Sequence, residues 1–119
     1  MRFPKQCIVV IAAVALAVTV HADMSARWEL HADFDDQQIP GAIAECTLKQ
    51  EGKRLSGSCE DATLTGEIAG DTVTWRLTLT GTHDIVVFTG MFAGNEEAVI
   101  LGTFSYAGKG EGSFVAIKR

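Results

Sequence analysis

The sequence predicts an all-β protein, and within that class an eight-stranded antiparallel up-and-down β-barrel. Three observations carry the prediction. Apolar and polar residues alternate with period two through most of residues 26–118, the pattern of strands buried on one face. Turn residues interrupt the alternation at short intervals, at Glu51-Gly52, Gly70-Asp71, Gly81-Thr82, Gly94-Asn95 and Gly108-Lys109-Gly110. Glycines also fall inside the strands, in Leu55-Ser56-Gly57, Leu64-Thr65-Gly66, Phe88-Thr89-Gly90 and Ile100-Leu101-Gly102. Such glycines weaken a flat sheet but mark the bends and bulges of a small barrel. A two-sheet β-sandwich is the alternative; the barrel is preferred because closure leaves no strand edge unpaired.

Residues 1–22 read as an address rather than as structure. Arg2 and Lys5 precede an apolar run, Ile8 to Val20, which ends at Val20-His21-Ala22 with small residues where a signal peptidase reads. The thirteen residues of this run span about 20 Å as a helix, short of a bilayer core of about 30 Å. A secretory signal peptide cleaved after Ala22 is therefore expected, with a secreted or periplasmic mature chain, 23–119, forming a single domain. Cys7 lies before the apolar run, so it is not a lipid-attachment cysteine.

The strands follow in order. Over 26–32, Trp28 and Leu30 face one way and Arg27, Glu29 and His31 the other. Over 43–50 and 54–60, a hairpin turning at Glu51–Arg54 with a two- or four-residue loop puts Cys46, Leu48, Leu55 and Cys59 on one face. A four-residue loop there sets Cys46 directly opposite Cys59. An even pair of cysteines in an oxidising compartment predicts a disulfide, and two thiols alone make a poor zinc site. The next strand, 62–68, carries Leu64 inward with Thr65 and Glu67 outward. Over 72–80, Val73, Trp75, Leu77 and Leu79 alternate with Thr72, Thr74, Arg76 and Thr78.

The last three strands, 85–92, 97–105 and 112–118, break the rule of a polar outer face. Placing Val86, Phe88, Phe92, Phe104, Phe114 and Ala116 inward sends Ile85, Val87, Met91, Val99, Leu101, Val115 and Ile117 outward. A contiguous apolar outer wall of this kind ordinarily marks an interaction surface, for a homodimer or another protein partner. A one-residue slip in register would instead bury it.

Inside, Trp28, Trp75, Phe88, Phe104 and Phe114 sit beside small residues, Gly57, Gly66, Gly90, Gly102, Ala44 and Ala98. Aromatic rings beside small residues either line a pocket for a small apolar ligand or fill one another's gaps as core. Eight strands use nearly all of the mature chain, which leaves little for a deep cup or a lid.

Charge and motifs exclude several function classes. The formal net charge is −5, and −7 once Arg2 and Lys5 are removed, so a nucleic-acid partner is not expected. No stable membrane insertion is expected after cleavage. His31, Asp33 and Asp35 alternate with Asp36 beside them, but they run into a loop before Pro40-Gly41, where acidic residues are ordinarily solvated. His83-Asp84 falls in a turn that favours Asp for its own hydrogen bonds. The sequence holds no G-x-S-x-G elbow, P-loop, dinucleotide-binding glycine pattern or H-E-x-x-H. No enzyme activity, metal or cofactor is expected.

Trp28 near the start of the first strand, followed by apolar-x-Gly hairpins, resembles the calycin-type barrels, lipocalins and avidins. Those families carry Gly two residues before that Trp, where this chain has Ala26. The segments Leu48–Gly57 and Leu64–Trp75 are similar to small exported bacterial barrels of unassigned function. The resemblance implies an exported, non-catalytic binding barrel. Its ligand is a small apolar molecule held by the interior, or a protein met by the outer wall. The alternative is a protein inhibitor of an exported hydrolase, of protease or lysozyme type, acting through the loops or the arm Asp23–Ala26.

Overall fold

A computed structural model describes residues 23–94 and 97–119. The segment read as a signal peptide lies outside them, as does Asn95 of one turn signal. The eight strands are β1 (Ala26–Phe34), β2 (Ala42–Glu51), β3 (Arg54–Cys59), β4 (Ala62–Ala69), β5 (Thr72–Thr78), β6 (Ile85–Phe92), β7 (Val99–Tyr106) and β8 (Gly110–Lys118). Each pairs antiparallel with its sequence neighbour, and β8 returns to pair with β1, closing the barrel. The sandwich alternative falls with that last pairing, since a sandwich leaves its two sheets unjoined there. Every strand expected from the alternation is present. β1, β2 and β8 are each two residues longer than expected, β7 begins at Val99 rather than at 97, and β5 stops before Leu79, which packs half-buried against the core.

The register follows from which residues must leave water. Trp28, Leu30, Cys46, Leu48, Leu55, Cys59, Leu64, Val73, Trp75, Leu77, Val86, Phe88, Ile100, Phe104, Phe114 and Ala116 are all buried, and among the described residues no polar or charged residue joins them. Rows of inward side chains run across the sheet and mix large with small. Gly66 sits between Leu55 and Trp75, and Trp75 faces Phe88 across β5–β6. Gly102 sits between Gly90 and Phe114. These glycines also let neighbouring strands approach. A Cβ at Gly66 would stand 2.1 Å from the Thr74 carbonyl oxygen, and one at Gly102 2.0 Å from that of Thr89. No side chain fits such a gap, so the sheet coils tightly here because these positions have none.

Cys46 and Cys59 are register partners across β2–β3 and form a disulfide on the inner face. Both are buried, so the bridge staples the hairpin from inside the core.

The two ends of the barrel differ. At one, the arm ahead of β1 folds under the strands. Met24 is 1% exposed, its backbone N–H donates to Gln50 Oε1 at 2.8 Å, and the Gln50 N–H donates to Ser25 Oγ at 2.9 Å. Lys118 Nζ donates to the Asp23 carbonyl at 2.8 Å, tying the arm to the end of β8. At the other end, the turns 35–41, 60–61, 79–84 and 107–109 surround an opening.

Candidate functional site: the open end of the barrel

The open end leads into a cavity of about 500 Å³. Its existence follows from the sizes of the inward residues. Rings fill the middle of the barrel: Trp28 and Trp75 meet edge to face at 6.1 Å, Phe88 and Phe114 do so at 5.1 Å, and Phe88 lies 5.4 Å from Phe104. Above them the inward positions of β1, β2 and β4 are Ala32, Ala42, Ala44 and Ala62, which leave the space unfilled. The remaining wall is Leu30, Phe34, Cys59, Leu77, Val86, Phe88, Phe104 and Tyr106. Ile39 and Pro40 from the turn after β1, and Leu79 after β5, complete an apolar throat. Glu60, Asp61 and Lys109 add charged groups.

Local geometry fixes the rim. Phe34 packs edge to face on Phe104 at 5.1 Å and tilted against Tyr106 at 6.3 Å. The Tyr106 hydroxyl donates to Asp84 Oδ2 at 3.2 Å. Its pKa lies above its ordinary value, first because its surroundings desolvate it, then because of that bond and the Asp84 charge. The Lys109 ammonium lies 5.3 Å from the centre of the Tyr106 ring, a cation–π distance. In the 79–84 turn the Leu79 N–H donates to the Asp84 carbonyl and the His83 N–H to the Leu79 carbonyl. His83 takes a positive φ of 63° there, so its place beside Asp84 is accounted for by the turn.

Of the five interior residues expected at a ligand site, Phe88 and Phe104 lie on the cavity wall. Trp28, Trp75 and Phe114 are buried away from it in the packed half of the interior. The Trp75 indole N–H has no hydrogen-bond partner there, a burden of about 1–3 kcal/mol in a core. Sixteen of the eighteen lining residues lay beyond the expected set, among them Phe34, Ile39, Pro40 and Tyr106. Phe34 and Tyr106 continue the alternation of β1 and β7 by one more inward step each, and that was their signal in the sequence.

The outer-wall residues point outward. Met91 is 54%, Leu101 48% and Ile85 40% exposed, while Val87, Val99, Val115 and Ile117 are half-buried. Met91, Leu101 and Val115 are successive register partners across β6, β7 and β8. The wall is not continuous, however. Thr89, Thr103 and Ser113, also partners across the three strands, run as a row of hydroxyls between that strip and Val87. Among the described residues, no three His, Cys, Asp or Glu side chains come together as a metal site. His31 Nε2 lies 3.6 Å from Glu29 Oε2 on the outer surface.

No protein-family model and no curated protein matches the chain. Among solved structures it is similar to a redesigned β-barrel, mFAP1, determined bound to DFHBI. The TM-score is 0.58 at 12% identity, over 81% of this chain and 94% of that one. At that identity the likeness concerns the fold, an eight-stranded antiparallel barrel consistent with the calycin-like resemblance.

Proposed function

We propose that the protein is a non-catalytic binding barrel that takes a small, largely apolar ligand through its open end. The observation that carries this reading is the asymmetry of the interior. One half is packed with rings, and the other is walled by apolar side chains yet holds about 500 Å³ of space. That volume lies within the range of small-molecule sites, and apolar walls with few polar groups are their usual lining. The solved barrel of similar fold binds a small molecule, which supports the same use of this architecture. Export fits the reading: the Cys46–Cys59 disulfide is compatible with an extracellular or periplasmic location.

The test is saturable uptake of the neutral probe Nile red, followed by its fluorescence. Ala44 lines the cavity and is half-buried, so Ala44→Trp should fill the space without disturbing the packed half. One-site binding by the wild type that disappears in Ala44→Trp, with thermal stability kept, is the expected result. Absence of saturable binding, or binding indifferent to Ala44→Trp, overturns the reading.

A further inference from the structure

The turns around the opening carry Asp35, Asp36, Glu60, Asp61 and Asp84, against a single ammonium, Lys109. Lys109 is already engaged with the Tyr106 ring. Most basic side chains lie toward the other end: Arg27 opens β1, Lys53 and Arg54 sit at the β2–β3 turn, and Lys118 and Arg119 end the chain. Two of the five acidic residues, Glu60 and Asp61, are on the cavity lining itself, and Glu60 also borders a second pocket with Glu29, Glu45 and Arg119. The walls below them are hydrocarbon, a low-dielectric surface that focuses the field of the rim into the opening rather than screening it.

Resting on the pocket reading above, we infer that the ligand is a cationic amphiphile: an aliphatic or aromatic body for the cavity, bearing one positive charge that stays at the rim. The rings and alanines accept the body. Glu60 and Asp61 meet the charge where it remains partly hydrated, so the ligand need not bury an ion. A carboxylate-headed amphiphile of the same body would place its charge against these groups with one ammonium to offset them, and is disfavoured.

Displacement of Nile red by three probes of equal chain length tests this: dodecyltrimethylammonium, dodecanol and dodecanoate, each below its micelle concentration at pH 8. The cation is expected to displace the dye at a concentration at least about tenfold lower than dodecanoate at low salt. The gap should narrow at high salt and in Glu60→Gln/Asp61→Asn, while dodecanol changes little. Dodecanoate equal to or better than the cation, with dodecanol binding, overturns the charge inference and leaves the pocket standing. A gap that survives in the double variant also overturns it. If neither Nile red nor any of the three binds, the pocket reading fails and this inference with it.

Discussion

Trp28 and Met24 close one end of the barrel as a unit. The Trp28 indole N–H donates to the Met24 carbonyl at 3.0 Å, and the two residues are 0% and 1% exposed. The bond satisfies a buried indole donor, and the Met24 side chain covers the floor of the packed half. The arm ahead of β1 is thus part of the core rather than a free segment, held at Met24 and Ser25 by Gln50 and at Asp23 by Lys118.

Met24→Ala should therefore cost about 2–4 kcal/mol, as for other buried large-to-small changes, whereas Met24→Leu should cost less than about 1.5 kcal/mol. Urea unfolding followed by tryptophan emission reads both. Deleting 23–25 should destabilise the barrel at least as much as Met24→Ala. If the deletion is neutral, the arm does not plug the core. This also bears on the inhibitor alternative, because loss of inhibition on truncating the arm would report loss of fold unless stability is measured alongside.

Close backbone approach makes Gly66 and Gly70 respond differently. A Cβ at Gly66 meets the Thr74 carbonyl oxygen, while one at Gly70 meets nothing within 4 Å and faces only its φ of 63°. Gly70→Ala should cost about 1 kcal/mol, the ordinary penalty for a left-handed position. Gly66→Ala should cost well over about 3 kcal/mol or prevent folding, because backbone must move. Comparable midpoints in urea for the two variants would contradict the strand geometry at Gly66.

How much of this was legible in the sequence varies along the barrel. The strands were, because Trp28 and Leu30, or Val73, Trp75 and Leu77, repeat at a spacing only a half-buried strand explains. The in-and-out assignment was legible for the same reason, even in the apolar β6. The cavity was not. The sequence shows Ala32, Ala42, Ala44 and Ala62, but their gathering at one end depends on the closed register, which joins β1 to both β2 and β8. The wall residue Phe34 was hidden because acidic neighbours, Asp33 and Asp35, make that stretch resemble a loop. Tyr106 was hidden because it stands immediately before a turn. A row of hydroxyls cutting the outer apolar wall is likewise a cross-strand fact, visible only once Thr89, Thr103 and Ser113 are aligned.

Reduction of Cys46–Cys59 should lower stability by about 3 kcal/mol on the chain-entropy account, for a crosslink 13 residues apart in sequence. Cys46→Ala/Cys59→Ala should match the reduced wild type within about 1 kcal/mol. Both are read from urea midpoints with and without reductant. No difference between oxidised and reduced protein would mean that the packed rings, not the bridge, hold β2 against β3.

Ile100 and Leu101 are neighbours on opposite faces of β7, 0% and 48% exposed. Leu101→Glu should leave stability within about 1 kcal/mol of wild type. Ile100→Ala should cost about 2–4 kcal/mol, and Ile100→Glu should not fold. Thermal melts decide it: if Leu101→Glu unfolds the chain and Ile100→Glu does not, the register of β7 is shifted by one residue.

The Tyr106 hydroxyl provides a pH signature of the open end. Its pKa is raised in the folded barrel by desolvation, by its bond to Asp84 and by the Asp84 charge. A raised pKa means that the folded state holds the phenolic proton more tightly than the unfolded state. The corresponding stability is fully present below the unfolded tyrosine pKa, near 10, and is lost as pH rises through the folded value. Melting temperature should therefore fall more steeply with pH above about 10 in the wild type than in Tyr106→Phe. Tyr106→Phe should itself cost about 1 kcal/mol at neutral pH, for one partly buried hydrogen bond. A ligand seated against Tyr106 would desolvate the ring further and raise its pKa again. The ultraviolet titration of the phenol should then move to higher pH when Nile red is bound, and a titration that does not move would place the dye elsewhere than this wall.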